Sequence, residues 1–280
     1  MKLFKTSKGF VIEDENQFYL SNATDWDAFI NRENLFAALK NDLKSLSADN
    51  DYKKIIDAHI QAPIKGQEVW ASGVTYQRSK KARMDESKDS GGGDFYDRVY
   101  DAPRPELFFK ATAGRVVGPN ENIRIRRDSK WNVPEPELTL FINTSGQISG
   151  YTVGNDVSSR DIEGENPLYL PQAKSYDKSA ALGPCIFVSD KPIDTNGTIG
   201  LEIFRDGKTV FSQTIEINQI KRSLEELVEY LYAECSFENG AFLMTGTGII
   251  PEDSFSLAVG DVVEITIENI GTLRNTVEKK

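Results

Sequence analysis

Two glutamates one residue apart, Glu135 and Glu137, head the stretch Pro134-Glu135-Pro136-Glu137-Leu138-Thr139-Leu140-Phe141-Ile142. Leu138, Leu140 and Ile142 alternate with Glu137, Thr139 and Phe141, which is the period of a β-strand. Side chains two apart share a face, so the two carboxylates converge if the strand begins here. Adjacent carboxylates repel, and both stay ionised only with a cation between them. Pro134 and Pro136 fix the local backbone and remove two ladder donors. The stretch reads as a rigid strand end presenting two oxygen ligands, or as a solvated edge strand with two ordinary surface glutamates.

The rest of the composition narrows the metal. The chain has one histidine, His59, and two cysteines, Cys185 and Cys235, none in a metal-type spacing. Zinc sites of the usual kinds need more of these residues than that. Any ion is therefore hard and oxygen-bound: Mg²⁺, Mn²⁺ or Ca²⁺. His59 stands just before Ala62-Pro63, a linker-like pair, and reads as structural. The two cysteines read as buried thiols in a reducing cytoplasm and not as a disulfide.

The elements that must position this chemistry are mostly strands. The chain has 280 residues, 39% hydrophobic and 27% charged, with a formal net charge of −10. This fits a globular protein of one large domain, or a large one with a small one. The negative charge argues against nucleic acid and anionic membranes as partners. The first residues carry no leader-like apolar core, and no run is long enough to span a bilayer. Residues 1–22 predict two or three short strands, and helical spacing begins at Asp25. Residues 1–64 read as a small N-terminal α/β cap domain and 65–280 as the main domain. Val69–Tyr76 predicts a buried strand. After it comes a basic segment with Arg78, Lys80, Lys81 and Arg83, then Gly91-Gly92-Gly93. A charged segment beside a glycine hinge predicts a lid over an anion. Glu106 and Lys110 share a face of a short strand, and Asp156 ends another. Gly183-Pro184 predicts a break before a strand at Cys185. Residues 200–211 predict a hairpin turning at Asp206-Gly207. Ser223 with Glu226 predicts a capping box opening a helix. Short strands with few helices predict an α+β, β-rich mixed-sheet roll.

Three pieces stand in order: Glu135-x-Glu137; Gly150-Tyr151-Thr152-x-x-Asn155-Asp156-x-x-x-Arg160-Asp161; and Lys174 followed by Gly183-Pro184. Over residues 65–280 this pattern closely resembles the fumarylacetoacetate hydrolase superfamily. The resemblance implies Mg²⁺ on Glu135, Glu137 and Asp156, with Lys174 at the oxo-carboxylate end of a substrate. Thr247 matches a Gly-Thr-Pro loop of the family, with Gly248 in place of the proline. The family's hydrolases carry Asn-Tyr-x-x-His-x-x-Glu, whose His/Glu pair activates water. Alignment on Tyr76 puts Ser79 and Ala82 at those two positions, so hydrolysis of a carbon–carbon bond loses its dyad.

Within the superfamily, Asn166 to Lys174, Thr75 to Ser79 and Pro105 to Lys110 resemble the branch that dehydrates 2-keto-3-deoxy-D-arabinonate. That resemblance implies a lyase acting on a 2-oxo sugar acid and yielding 2,5-dioxopentanoate. It also implies a cytoplasmic homodimer or homotetramer. Lys174 and Glu106 are the candidates for proton transfer, and Arg78, Ser79, Lys174 and Thr247 for holding the substrate. The competing expectations are a metal-dependent hydrolase of a 2,4-dioxo sugar acid or acylpyruvate, and a silent sugar-acid binding protein.

Overall fold

The computed structural model describes residues 1–78 and 99–280. Three strands open the chain, β1 (Lys2–Thr6), β2 (Gly9–Asp14) and β3 (Gln17–Leu20), followed by helices α1 (Trp26–Ile30), α2 (Leu35–Leu43) and α3 (Asp51–His59). Next come β4 (Glu68–Gly73), β5 (Glu106–Thr112), β6 (Val116–Val117), β7 (Asn122–Ile125) and β8 (Asn132–Val133). The strands β9 (Pro136–Ile142), β10 (Ile148–Asp156) and β11 (Ser158–Ser159) lead to two short helices, α4 (Arg160–Glu165) and α5 (Leu170–Lys174). Then follow β12 (Ala180–Phe187), the hairpin β13 (Thr198–Arg205) and β14 (Lys208–Glu216), and α6 (Leu224–Tyr232). Strands β15 (Ala241–Met244), β16 (Val262–Ile267) and β17 (Gly271–Lys279) close the chain.

One mixed sheet runs β3-β2-β1-β12-β10-β9-β15-β4-β5, with β6 added beside β12, and a second runs β14-β13-β16-β17-β7. The alternation of β9 assigns its faces. Leu138, Leu140 and Ile142 pack with Ile199, Leu201, Ile203, Val263 and Ile265 between the two sheets. Phe141, on the opposite face, packs with Phe242, Met244, Leu182 and Ile186 against Trp26, Phe29, Ile30 and Leu39 of α1 and α2. The large sheet is thus covered on one side by the second sheet and on the other by the N-terminal helices, the layered α+β roll expected.

Residues 1–64 do not stand apart from this sheet. Leu3 of β1 pairs with Ile186 of β12, so the first three strands extend the sheet that carries β9 and β10. Local signals behave as the residue types dictate. Asp25 caps α1 by accepting from the Ala28 amide. Ser223 caps α6 through the Glu226 amide, but the Glu226 carboxylate pairs with Arg222 at 2.7 Å instead of reaching back. Asp206 and Gly207 both take positive φ in the hairpin turn, as a two-residue connection requires.

Two expectations are corrected. β12 runs through Gly183-Pro184 instead of starting after it. Pairing with β10 shifts register there, and a bulge is what lets a proline sit inside a strand. Cys185 is buried, but Cys235 is exposed, because it follows α6 outside both cores. Both thiols are free. Among the described residues no helix is long and apolar enough to cross a membrane.

Candidate metal centre

Strand pairing brings the acids together. Gly154 of β10 lies opposite Glu137, and Asn155 opposite Pro136. The ladder continues one step beyond β9, where the Asp156 amide donates to the Glu135 carbonyl at 3.0 Å. Pro136 is tolerated because it is the first residue of its strand. Glu135, Glu137 and Asp156 are all buried, and each offers an oxygen within 4.8 Å of the others. The reading of solvated surface glutamates is therefore set aside.

Cations surround the three acids. Lys174 sits at the end of α5 with no solvent exposure. Its Nζ donates to Glu135 Oε2 at 2.7 Å, Asp156 Oδ2 at 2.9 Å and Ser158 Oγ at 2.5 Å. Glu163 Oε1 lies 3.3 Å from the same amine. Arg160 opens α4 and donates to Glu135 Oε1 at 2.7 Å. Lys110 of β5, also fully buried, stands 2.5 Å from Asp156 Oδ1 and donates to the Val157 and Lys174 carbonyls at 3.1 and 2.5 Å. Burial holds the Lys110 amine below the usual lysine range, against the pull of Asp156. Seven of the nine buried charged side chains among the described residues are gathered here. Burying charge at this density is costly unless it serves a purpose or is paired throughout.

Glu137 differs from its neighbours. Its Oε2 accepts from the Gly246 amide at 2.6 Å in the loop after β15. Burial first, then Asp156 and Glu135, push its carboxyl well above the ordinary value. Gly246 has φ +94°, and a Cβ there would collide with Thr75 Oγ1, so only glycine brings this amide to the carboxylate. Three clustered oxygen donors, one of them held above the ordinary carboxyl range by burial and its acidic neighbours, fit a small hard divalent cation.

The cavity above these acids is lined by Ser72, Gly73, Val74, Phe108, Gly246 and Thr247 beside the charged residues. Thr247 is placed as expected, at its wall. Glu106, the first residue of β5, is half-buried, and its carboxyl lies against Gly73 where a Cβ would clash. It borders the cavity at Gly73. Arg78 is exposed and donates to the Ile250 carbonyl at 2.9 Å. Ser79, Ala82, the basic residues 80–83 and the glycines 91–93 lie outside the described residues. Reading by motif missed Arg160, Glu163, Lys110 and Ser158 as parts of the centre. Only the clustering of Arg160 and Glu163 one helical turn apart, just after Asp156, offered a local signal.

A buried carboxylate cluster of this kind on a β-rich roll defines a metal-dependent enzyme with hard oxygen ligands. The model of the fumarylacetoacetate (FAA) hydrolase C-terminal family matches residues 68–278. The chain belongs to that family. A Haloferax volcanii protein named "Probable 2-keto-3-deoxyxylonate dehydratase" is 48% identical over 223 residues, 79% of this chain and 76% of the relative. The 2-dehydro-3-deoxy-D-arabinonate dehydratase of Saccharolobus solfataricus is 44% identical over 231 residues, 81% of this chain and 77% of that one. A solved structure, 2-keto-3-deoxy-D-arabinonate dehydratase complexed with magnesium and 2,5-dioxopentanoate, covers 100% of this chain and 99% of its own, with 37% identity and a TM-score of 0.83.

Proposed function

We propose that this protein is a Mg²⁺-dependent hydro-lyase that converts a 2-keto-3-deoxy pentonate, 2-keto-3-deoxy-D-arabinonate in the first instance, to 2,5-dioxopentanoate. The observation that carries the reading is the buried triad of Glu135, Glu137 and Asp156 with the Lys174 amine 2.7 and 2.9 Å from two of its members. The names of the relatives at 44 and 48% identity support it.

Glu135, Glu137 and Asp156 would hold the ion, which supplies Lewis acidity to the oxo-carboxylate end of the substrate. Charge supports this. Glu135, Glu137, Asp156 and Glu163 face Lys110, Arg160 and Lys174, which leaves one negative charge when all are ionised. A divalent ion would reverse the sign, and that positive excess would favour both a substrate carboxylate and loss of the Lys174 proton. Lys174, as the neutral amine, accepts the C3 proton. Glu106 gives a proton to the C4 hydroxyl, which leaves as water and creates a C3–C4 double bond. Proton transfer from C5 to C3, followed by tautomerisation of the resulting enol, yields 2,5-dioxopentanoate. Thr247 and Lys174 hold the oxo acid, with Arg78 and Ser79 as its further binding residues. Residues 1–64 act as a cap built onto the edge of the same sheet. The chain works as a homodimer or homotetramer in the cytoplasm, where two free thiols are at home.

Incubation of the purified protein with Mg²⁺ and a panel of 2-keto-3-deoxy pentonates and hexonates, read by product mass, tests the reaction. Loss of one water from a pentonate is expected. Two smaller acids would show cleavage instead and overturn the dehydratase reading. Sedimentation velocity tests the assembly, and a monomer at micromolar concentration would overturn it.

A further inference from the structure

The fourth buried carboxylate of the centre has no place in the scheme above. Glu163 lies on α4, one turn after Arg160, with 2% exposure. It is not one of the three clustered oxygen donors. Glu163 Oε1 is 3.3 Å from Lys174 Nζ, and Oε2 is 3.8 Å from Arg160 Nε. Lys174 and Arg160 both also hold Glu135, at 2.7 Å each. The four side chains close a ring of alternating charge: Lys174, Glu135, Arg160, Glu163. Helix α4 is pinned from outside, where Ser129 Oγ and the Lys130 amide donate to Asp161 at 2.6 and 2.7 Å. Glu163 therefore sits on a fixed support.

We propose that Glu163 is a positioning residue that holds the Lys174 amine for C3 when Glu135 and Asp156 are committed to the metal. In the ring, Lys174 is drawn toward Glu135 and Asp156. A divalent ion on those two carboxylates satisfies their charge and weakens their hold on the amine. Ser158 Oγ and the Glu163 carboxylate then fix where Nζ stands. Small displacements of a proton-transfer group are expensive, on the order of 100-fold per ångström.

The inference rests on the dehydratase reading and on Lys174 as the base. Product formation by the unaltered protein tests that reading first. A protein that makes no 2,5-dioxopentanoate fails there, and the Glu163 variants are judged only against an active parent. The test uses Glu163→Gln and Glu163→Asp in the full chain. Calorimetric titration with Mg²⁺ alone gives metal affinity, and steady-state kinetics on 2-keto-3-deoxy-D-arabinonate gives kcat and KM separately. Glu163→Gln is expected to lower kcat by about 100-fold. Glu163→Asp, which keeps the charge one methylene further back, should lower it by about tenfold. Both should keep KM and the Mg²⁺ Kd within about twofold of the parent. A kcat within twofold of the parent in either folded variant overturns the proposal. So does a Mg²⁺ Kd that weakens in step with kcat, since Glu163 would then act on the metal and not on Lys174. If Glu163→Gln does not fold, Glu163→Asp decides by the same two readings. If neither melts cooperatively, Glu163 is a folding residue and the positioning role is overturned.

Discussion

Glu137 holds its proton to higher pH than an ordinary glutamate, because burial, Asp156 and Glu135 outweigh Lys174 and the Gly246 amide. A carboxyl whose folded value is raised favours the fold most below its unfolded value, and that contribution is lost as pH rises through the folded value. Mg²⁺ takes the ionised form, so binding expels the proton and tightens with rising pH. Calorimetry in buffers of different ionisation enthalpy should show protons released on Mg²⁺ binding. Glu137→Gln should abolish both the release and most of the affinity, and Glu135→Gln or Asp156→Asn should weaken Mg²⁺ binding greatly with the fold kept. Lys174→Met is expected to bind Mg²⁺ but lose turnover by about 100-fold or more, together with exchange of the C3 protons with deuterated water. Full turnover would return the search for the base to Glu106. The spacing of Glu135 and Glu137 was legible because a strand repeats every two residues. Asp156 and Lys174 were reachable only by family resemblance, since register across β10 and a short helix place them. Lys110 and Glu163 carry no local sign of burial. A buried lysine looks like a surface one until its partners, distant in the chain, are known.

Strand ends and the loops after them carry the centre, and the loop after β15 makes a test at this scale. Gly246→Ala would drive a Cβ into Thr75 Oγ1 at a φ of +94°. The loop must then move, and the Glu137 carboxylate loses its amide donor. Strain of this kind costs about 1–3 kcal/mol. A lowered unfolding midpoint and a weaker Mg²⁺ Kd are expected together, and unchanged metal affinity would separate the loop from the ligand. Most elements were legible from period and punctuation. The β1–β3 run, the Asp206-Gly207 hairpin and the α6 stripe of Leu224, Leu227, Val228 and Leu231 all follow their patterns. What period could not reveal was pairing. Gly183-Pro184 looks like a stop because proline lacks a donor, and only the register shift against β10 lets β12 pass through it.

At the scale of the whole molecule the chain's two ends are both stitched into sheets. β17 pairs with β7, and Glu278 there accepts from Asn122, Arg124 and Lys178. Those donors hold its carboxyl down to about 2, against an ordinary 4.5. A depressed acid stabilises the fold above its unfolded value, and that contribution disappears as pH falls from about 4.5 toward 2. Glu278→Gln should therefore unfold at a lower urea concentration at pH 7, with the gap from the parent closing near pH 2. A gap independent of pH would mean that the clasp acts by packing and not by charge. The other end carries a consequence in time. The Met1 ammonium donates to the Val188 carbonyl, 187 positions away, and β1 fills its edge only against β12. During synthesis the opening hairpin leaves the ribosome first, and at about 5–20 residues per second its partner follows roughly 10–40 s later. Until then β1 is a bare strand edge in a crowded cell, with Leu3 and Phe4 uncovered, exposed to pairing with the wrong neighbour. The polypeptide must be well past its midpoint before β1 finds its place.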